Sequence, residues 1–335
     1  MSFHFFPINY KPIYSLERTY AYISDYVNLL NTYIRQKFNA TYIQPPIASN
    51  ANGSWNTHKQ NERYISFDNK YTNEVNELLN DPSNYMRYVL ISFDNLNVPI
   101  FTSMTNIKRD VIEKNGEVMV SFNYYIEYHL MTEINHDTQN ISLLKNILMM
   151  IDAINQNEKF KDVKFSKYII EKINFISIFE LKKKYPTLAL KESLNRYVST
   201  NGLTFINGVY ERLPNDEHLL VGSPTSDDYH RSGILYVFNK ITNSIIPIIK
   251  ITTRPNQDLI QKQIILDIPN ELEEQIYQNT VLNDQIHFLP SIGIQIYFSN
   301  LMLINLSKMH LCEVIHSPFS PELLKYFREN EIEVM

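Results

Sequence analysis

A mixed α/β fold, with a largely antiparallel sheet flanked by helices, is expected from three features of this sequence. From Glu117 to Ile134 the chain alternates: Val118, Val120, Phe122, Tyr124, Ile126, Tyr128 and Leu130 share one face, as a half-buried strand requires. Strand-like segments come in runs instead of alternating one-for-one with helices, which disfavours a parallel βαβ sheet. The third feature is an opening amphipathic helix, in which Leu16, Tyr20, Ile23, Val27, Leu30, Ile34 and Phe38 repeat at three- and four-residue steps.

In chain order, that helix spans 15–38 with Ser15 as N-cap and Asn39 as its left-handed stop. Thr41 to Ile47 carries Pro45 and Pro46, so it is extended and confined to a sheet edge or a strand start. Residues 48–86 are polar with weak periodicity, a short strand is read at Tyr88 to Phe93, and Lys108-Arg109 sits in a loop before the long strand. A helix follows at 142–158, with Met149 and Met150 as core filler. Strands are expected near 174–177, 204–207, 218–221, 234–238 and 245–252. Helices are expected near 188–200, 258–266, 296–308 and 321–330, the last with Ser320 as cap and Pro321 at its first position. No repeat or low-complexity linker divides the chain, so residues 1–335 are expected to form a single domain.

Composition excludes several classes. No run of about 18 apolar residues offers a membrane span, and Met1 to Tyr10 lacks the basic and apolar regions of a secretory signal. The single cysteine, Cys312, allows no internal disulfide; in Leu311-Cys312-Glu313-Val314-Ile315 it reads as a core thiol on a buried strand, and a cytoplasmic location is expected. A net charge of −5 with scattered lysines and arginines argues against nucleic-acid binding. Only 7 glycines occur, and none cluster as a phosphate-cradling loop requires, so neither a P-loop nor a dinucleotide fingerprint is present. The 9 histidines form no metal-ligand spacing, and His58, His136, His230 and His316 read as surface or loop residues.

Candidate chemistry is sparse. Asp227-Asp228 is a carboxylate pair able to hold Mg²⁺ or an ammonium group, although residue type alone favours a solvated turn. Arg254 follows an apolar strand, where its planar fork can meet phosphate or carboxylate; a surface position carries equal weight. Lys108-Arg109 has the same standing, while Glu127 and His129 lie together on the far face of the long strand.

Taken in order, several segments resemble ammonia-dependent asparagine synthetase, the aspartate–ammonia ligase built on a class II aminoacyl-tRNA-synthetase-like fold. The helix followed by Tyr42-Ile43-Gln44-Pro45-Pro46-Ile47 resembles the family's dimer-forming first motif. Phe175-Ile176-Ser177 through Leu181, then Lys184-Tyr185-Pro186-Thr187-Leu188, resembles its middle stretch. Ser226-Asp227-Asp228-Tyr229 resembles its YDDW, and Ser232-Gly233-Ile234-Leu235-Tyr236-Val237-Phe238-Asn239 the strand after it. Thr253-Arg254-Pro255 with Asp258, Gln261 and Gln263, and finally Leu289-Pro290-Ser291-Ile292-Gly293, match in sequence order. The similarity runs from about residue 15 to 325.

The resemblance implies a six- to eight-stranded antiparallel sheet, a homodimer through helix 15–38 and the following strand, and, for an active member, ATP and Mg²⁺ as cofactors. It also locates the departures. The family's two metal-holding acidic positions fall at Ile234 and Pro247, and its third-motif arginine at Ile296. Its substrate-gripping Gln and Asp fall at Glu127 and His129, and an early-loop aspartate near Asn56-Thr57. Arg109, Asp227 and Arg254 survive, with Asp228 beside them. A hard cation needs oxygen ligands, and losing one electrostatic group at a charge-transferring centre costs about 10²–10³ in rate. The expectation is a non-catalytic paralogue with a vestigial pocket of Arg109, Glu127, His129 and Asp227, no bound cofactor, and a dimeric binding or assembly role with a protein partner. The alternative is an active ligase forming aspartyl-AMP, its metal rescued by Asp228, Asp258 or Asp267.

Overall fold

Ser15 and Asn39 bound the first helix. α1 (Leu16–Phe38) starts with the Ser15 hydroxyl accepting from the Arg18 N–H at 3.4 Å and ends with Asn39 at φ 51°. Its buried residues are Thr19, Tyr22, Tyr26, Leu30 and Ile34, so the stripe is rotated from the expected one. Tyr20 is exposed, and its hydroxyl lies 2.5 Å from His316 Nε2. The structure, a computed structural model, describes residues 10–50, 55–56, 65–71, 73–92, 98–109, 118–129, 136–163, 173–267, 291–316 and 321–335.

The strands that build the main sheet are β1 (Thr41–Tyr42), β5 (Ile100–Arg109), β6 (Val118–His129), β7 (Asn174–Ser177), β8 (Thr204–Asn207), β9 (Ser232–Asn239), β10 (Ser244–Thr253) and β11 (Ser291–Ile296). Their order is β1-β5-β6-β11-β10-β9-β8-β7. Pairing is antiparallel except at the outermost pairs, β1 with β5 and β7 with β8. The mixed α/β fold and the largely antiparallel eight-stranded sheet match the expectation. A small separate sheet, β2 (Ala48–Asn50), β4 (Glu74–Leu78) and β3 (Ser66–Asn69), occupies the stretch read only as polar.

Strand alternation gives the main sheet two unlike faces. One, through Tyr124, Ile126, Leu235, Ile249, Ile251, Ile292, Ile294 and Ile296, packs the main core against α1, α3 (His136–Asn155) and α7 (Phe298–Asn305). The other faces α2 (Ser83–Ser92), α4 (Ile178–Lys184) and α5 (Leu190–Asn201), and carries Glu127, Gly293, Lys250 and Ile234. α6 (Gln257–Asp267) and α8 (Pro321–Glu329) complete the described helices.

Several expectations need correction. Residues 88–93 are not a strand: α2 runs to Ser92, and 93–97 lie outside the described residues. Its buried stripe, Ser83, Asn84, Met86, Arg87 and Leu90, is largely polar and gives no hydrophobic signal. Lys108 and Arg109 end β5 instead of a loop. His218 makes only an isolated bridge to Arg212, so 218–221 is not a strand. Ile296 closes β11, leaving the following helix to begin at Phe298. Met150 is in the core but Met149 is exposed. Cys312 is a buried thiol, as expected, yet on a 3₁₀ turn (Leu311–Glu313) instead of a strand. Ser320, the expected cap of the last helix, and His58 lie outside the described residues.

Candidate active site: a buried cluster of ion pairs

Four ionic side chains meet on the polar face of the sheet, where water is excluded. Glu127 is 1% exposed, Asp227 0%, Lys250 4% and Arg254 5%. A buried charge persists only when paired and hydrogen-bonded, because its desolvation cost otherwise outweighs folding. Here each anion has a cation. Arg254 Nε donates to Glu127 Oε1 at 2.9 Å and Nη2 to Oε2 at 2.8 Å, the planar fork meeting the carboxylate edge-on. Ser291 Oγ adds a third donor to Glu127 at 2.6 Å. Lys250 Nζ lies 2.5 Å from Asp227 Oδ1, and Arg254 Nη1 is 3.8 Å from the same oxygen, so the charges form a chain from Lys250 to Glu127.

Sheet register explains how Arg254 reaches Glu127. Thr252 pairs with Gly293 and Gly293 with Glu127, so the guanidinium, leaving the end of β10, crosses β11 over Gly293. A Cβ at 293 would overlap the guanidinium, so glycine is required there. Arg254 is further fixed by Nη1 donating to the Ser226 carbonyl at 2.8 Å and Nη2 to Ser83 Oγ at 3.0 Å.

α2 closes the cluster from above, and sequence reasoning missed it. Ser83 meets Arg254, Asn84 Nδ2 lies 3.4 Å from Thr225 Oγ1, and Arg87 donates to the carbonyls of Thr225 at 2.9 Å and Pro255 at 2.7 Å. Ser83, Asn84 and Arg87, one turn of helix, thus fix the two segments that carry Asp227 and Arg254. The readable signal was a serine–asparagine–arginine set at helical spacing, which looks like a solvated face until its partners are known.

Electrostatics follow from burial set against pairing. For Arg254 burial opposes the charged form, but Glu127 and then Asp227 outweigh it and hold the guanidinium protonated, above its usual value. Burial is the largest single influence on the Lys250 ammonium and works against it, but Asp227, joined by Tyr297 and Asp81, outweighs it, so the net shift is upward. Arg87 goes the other way: burial dominates and lowers it, with Glu127 opposing.

Asp227 and Asp228 are not a solvated turn. Asp227 is wholly buried among backbone amides and the two cations, and its Oδ2 accepts from the Ser223 N–H at 3.2 Å. Asp228 is 5% exposed and accepts from the amides of His230 at 3.1 Å and Arg231 at 3.3 Å, shaping the turn into β9. Gln263 on α6 ties this loop down, donating to the carbonyls of Pro224 and Asp227 at 3.0 and 2.9 Å.

The other candidates are placed by backbone alone. Arg109 ends β5 in register with Val118, far along the β5–β6 ladder from the Ile100–Glu127 pair; His129 is in register with Ser291. Their side chains lie outside the described ones, as does that of Asp267. Asn56 is buried and bonds the Asn80 N–H at 2.9 Å, while Thr57 lies outside the described residues. His230 is exposed and pairs with Glu211 at 2.9 Å.

Among the described residues, the two positions expected to hold magnesium do not fit it. Ile234 is buried among Ile206, Val209 and Tyr236, and Pro247 pairs with Tyr236 beside a bulge. Neither offers oxygen from its side chain to a hard cation. Ile296 needs a correction of another kind: it points into the core on the opposite face, so no side chain at 296 could reach a ligand beside Glu127. The site-facing neighbours on that segment, by alternation, are Gln295 and Tyr297, and neither is a guanidinium. Among the described residues no three His, Cys, Asp or Glu side chains group as metal ligands.

Comparison with known proteins agrees with this architecture. The family model described as aspartate–ammonia ligase matches residues 17–331. Aspartate–ammonia ligase of Clostridium perfringens is 24% identical over 338 residues, covering 99% of both chains. That of Ureaplasma urealyticum is 24% identical over 322 residues, covering 92% of this chain and 96% of the relative. Among solved structures, Entamoeba histolytica asparaginyl-tRNA synthetase with asparaginyl-adenylate has a TM-score of 0.61 at 12% identity, covering 91% of this chain and 68% of that one. The Pyrococcus horikoshii enzyme, likewise with asparaginyl-adenylate, gives 0.61 at 10%, covering 91% and 69%. These structural likenesses establish a class II synthetase fold. With a family match that spans nearly the whole sequence, this chain belongs to the aspartate–ammonia ligase family.

Proposed function

We propose that this chain is a divergent, non-catalytic member of its family that keeps the class II scaffold as a cytoplasmic, dimeric binding or assembly protein. The observation that carries this is the buried cluster. The Glu127 carboxylate is occupied by Arg254 and Ser291, and Asp227 by Lys250, in a region with aliphatic residues at the expected metal positions. Adenylating a carboxylate with ATP requires positive charge around the phosphates as pyrophosphate leaves, and a binding place that presents the attacking carboxylate to the α-phosphorus. Internal pairing leaves Arg254 committed to Glu127 and Lys250 to Asp227, so neither of these two cations is offered to a nucleotide. α1 with the extended segment after it is the proposed homodimer surface, by the first-motif resemblance, and the binding role implies a protein partner.

The rival reading, an active ligase that uses ATP, Mg²⁺ and ammonia, draws on the family match over residues 17–331. The two separate in one assay. Purified protein is incubated with aspartate, ammonium, ATP and Mg²⁺, and asparagine and AMP are quantified by mass spectrometry. No asparagine above the protein-free control is expected. Time- and enzyme-dependent asparagine formation, with AMP in equal amount, would overturn the proposal.

A further inference from the structure

Lys250 is the one lysine of the buried cluster, and its place in the sheet gives it a definite neighbour. β10 and β9 pair Lys250 with Ile234 directly, so the two side chains rise side by side on the polar face. The lysine chain then carries its Nζ to within 2.5 Å of Asp227 Oδ1, beneath the Tyr210 ring at 5.3 Å from the centroid. Arg254 Nη1 approaches that oxygen from another side at 3.8 Å. A free cation at Asp227 would have to share the carboxylate with two fixed positive groups.

We infer that the Lys250 ammonium is a tethered cation that neutralises Asp227 in place of a bound metal ion, which makes this site independent of divalent ions. This rests on the proposed reading of a scaffold without a metal-nucleotide site and adds the group that takes over the charge. Asp227 is wholly buried, so its charge needs a partner in every folded molecule. A lysine on the adjoining strand supplies it permanently, and strongly hydrated Mg²⁺ does not have to be stripped of water.

Chemical rescue tests this. The Lys250→Ala variant leaves Asp227 with space for a small amine, and its melting temperature is expected to fall by about 5 °C or more. Ethylammonium at tens of millimolar should recover at least half of that loss. Tetramethylammonium, of equal charge but without an N–H, should recover none. Wild-type protein should show no melting shift with Mn²⁺ that Asp227→Asn abolishes. Should the alanine variant be insoluble, Lys250→Met is compared with Lys250→Met/Asp227→Leu, and the double variant is expected to be the more stable because it buries no unpaired charge. Unchanged stability of Lys250→Ala, equal rescue by both cations, a double variant no better than the single, or an Asp227-dependent Mn²⁺ shift in the wild type would each overturn the inference. Asparagine formation by the wild type would end the non-catalytic reading but leave amine rescue to be read on its own.

Discussion

Arg254→Met is expected to lower the unfolding free energy by about 3–5 kcal/mol, measured as the urea midpoint at constant m-value. The loss comes less from the missing Coulomb attraction than from what remains. Among the described residues, Glu127, 1% exposed, keeps Ser291 as its one side-chain donor, and Asp227 loses its second cation. The carbonyl of Ser226 and the hydroxyl of Ser83 lose their Arg254 contacts as well. A companion variant, Arg254→Met with Glu127→Leu, should lose less than the two single changes summed, because removing both charges also removes their desolvation cost. If Arg254→Met alone costs under about 1 kcal/mol, typical of exposed pairs, the cluster is not the buried, coupled unit described.

Phe298→Ala is expected to cost a similar amount, about 3–5 kcal/mol, by a different mechanism. Phe298 opens α7 on the opposite face of the sheet, 2% exposed, with its ring centroid 5.9 Å from Tyr26, 5.5 Å from Phe122 and 5.6 Å from Tyr124. These rings join α1, β6 and α7, so truncation opens a cavity that three elements would have to close. Phe298→Leu, which keeps most of the volume, should recover more than half of the loss. Since the ring is remote from the ion cluster, Phe298→Ala and Arg254→Met should combine additively. Strong coupling between them would mean that the two faces of the sheet unfold as linked parts.

Much of the scaffold was legible because it obeys periodicity. Val118 to Tyr128 alternates, and it forms a central strand; Ser15 and Asn39 sit where their capping chemistry predicts. Failures came where burial was polar. Ser83, Asn84 and Arg87 are among the buried residues of α2, yet none adds to an apolar stripe, so only the apolar end of the helix stands out, and it reads as a strand. Asp227 looked solvated because its partners, Lys250, Arg254 and Gln263, are 23 to 36 positions away in sequence and meet it only through the β9–β10 ladder and α6, whereas Asp228 is held locally by the amides of His230 and Arg231. Ile296 was misplaced by a smaller error. Strand alternation makes a one-residue difference equal to a change of face, and only the register with Tyr124 and Ile249 shows that 296 belongs to the core. Tyr20 and Tyr22 illustrate the same limit on a helix, where two positions separate an exposed tyrosine from a buried one.

On the proposed function, internal ion pairs and aliphatic residues stand on the polar face where a magnesium nucleotide would need carboxylates. Crystals grown with MnATP and aspartate test it most directly, through anomalous scattering from manganese. The expected map shows no manganese beside Ile234, Pro247 or Asp227, with Lys250 Nζ still on Asp227 and Arg254 still on Glu127. Manganese coordinated by acidic side chains with a triphosphate across it, and Lys250 or Arg254 swung away, would contradict the account.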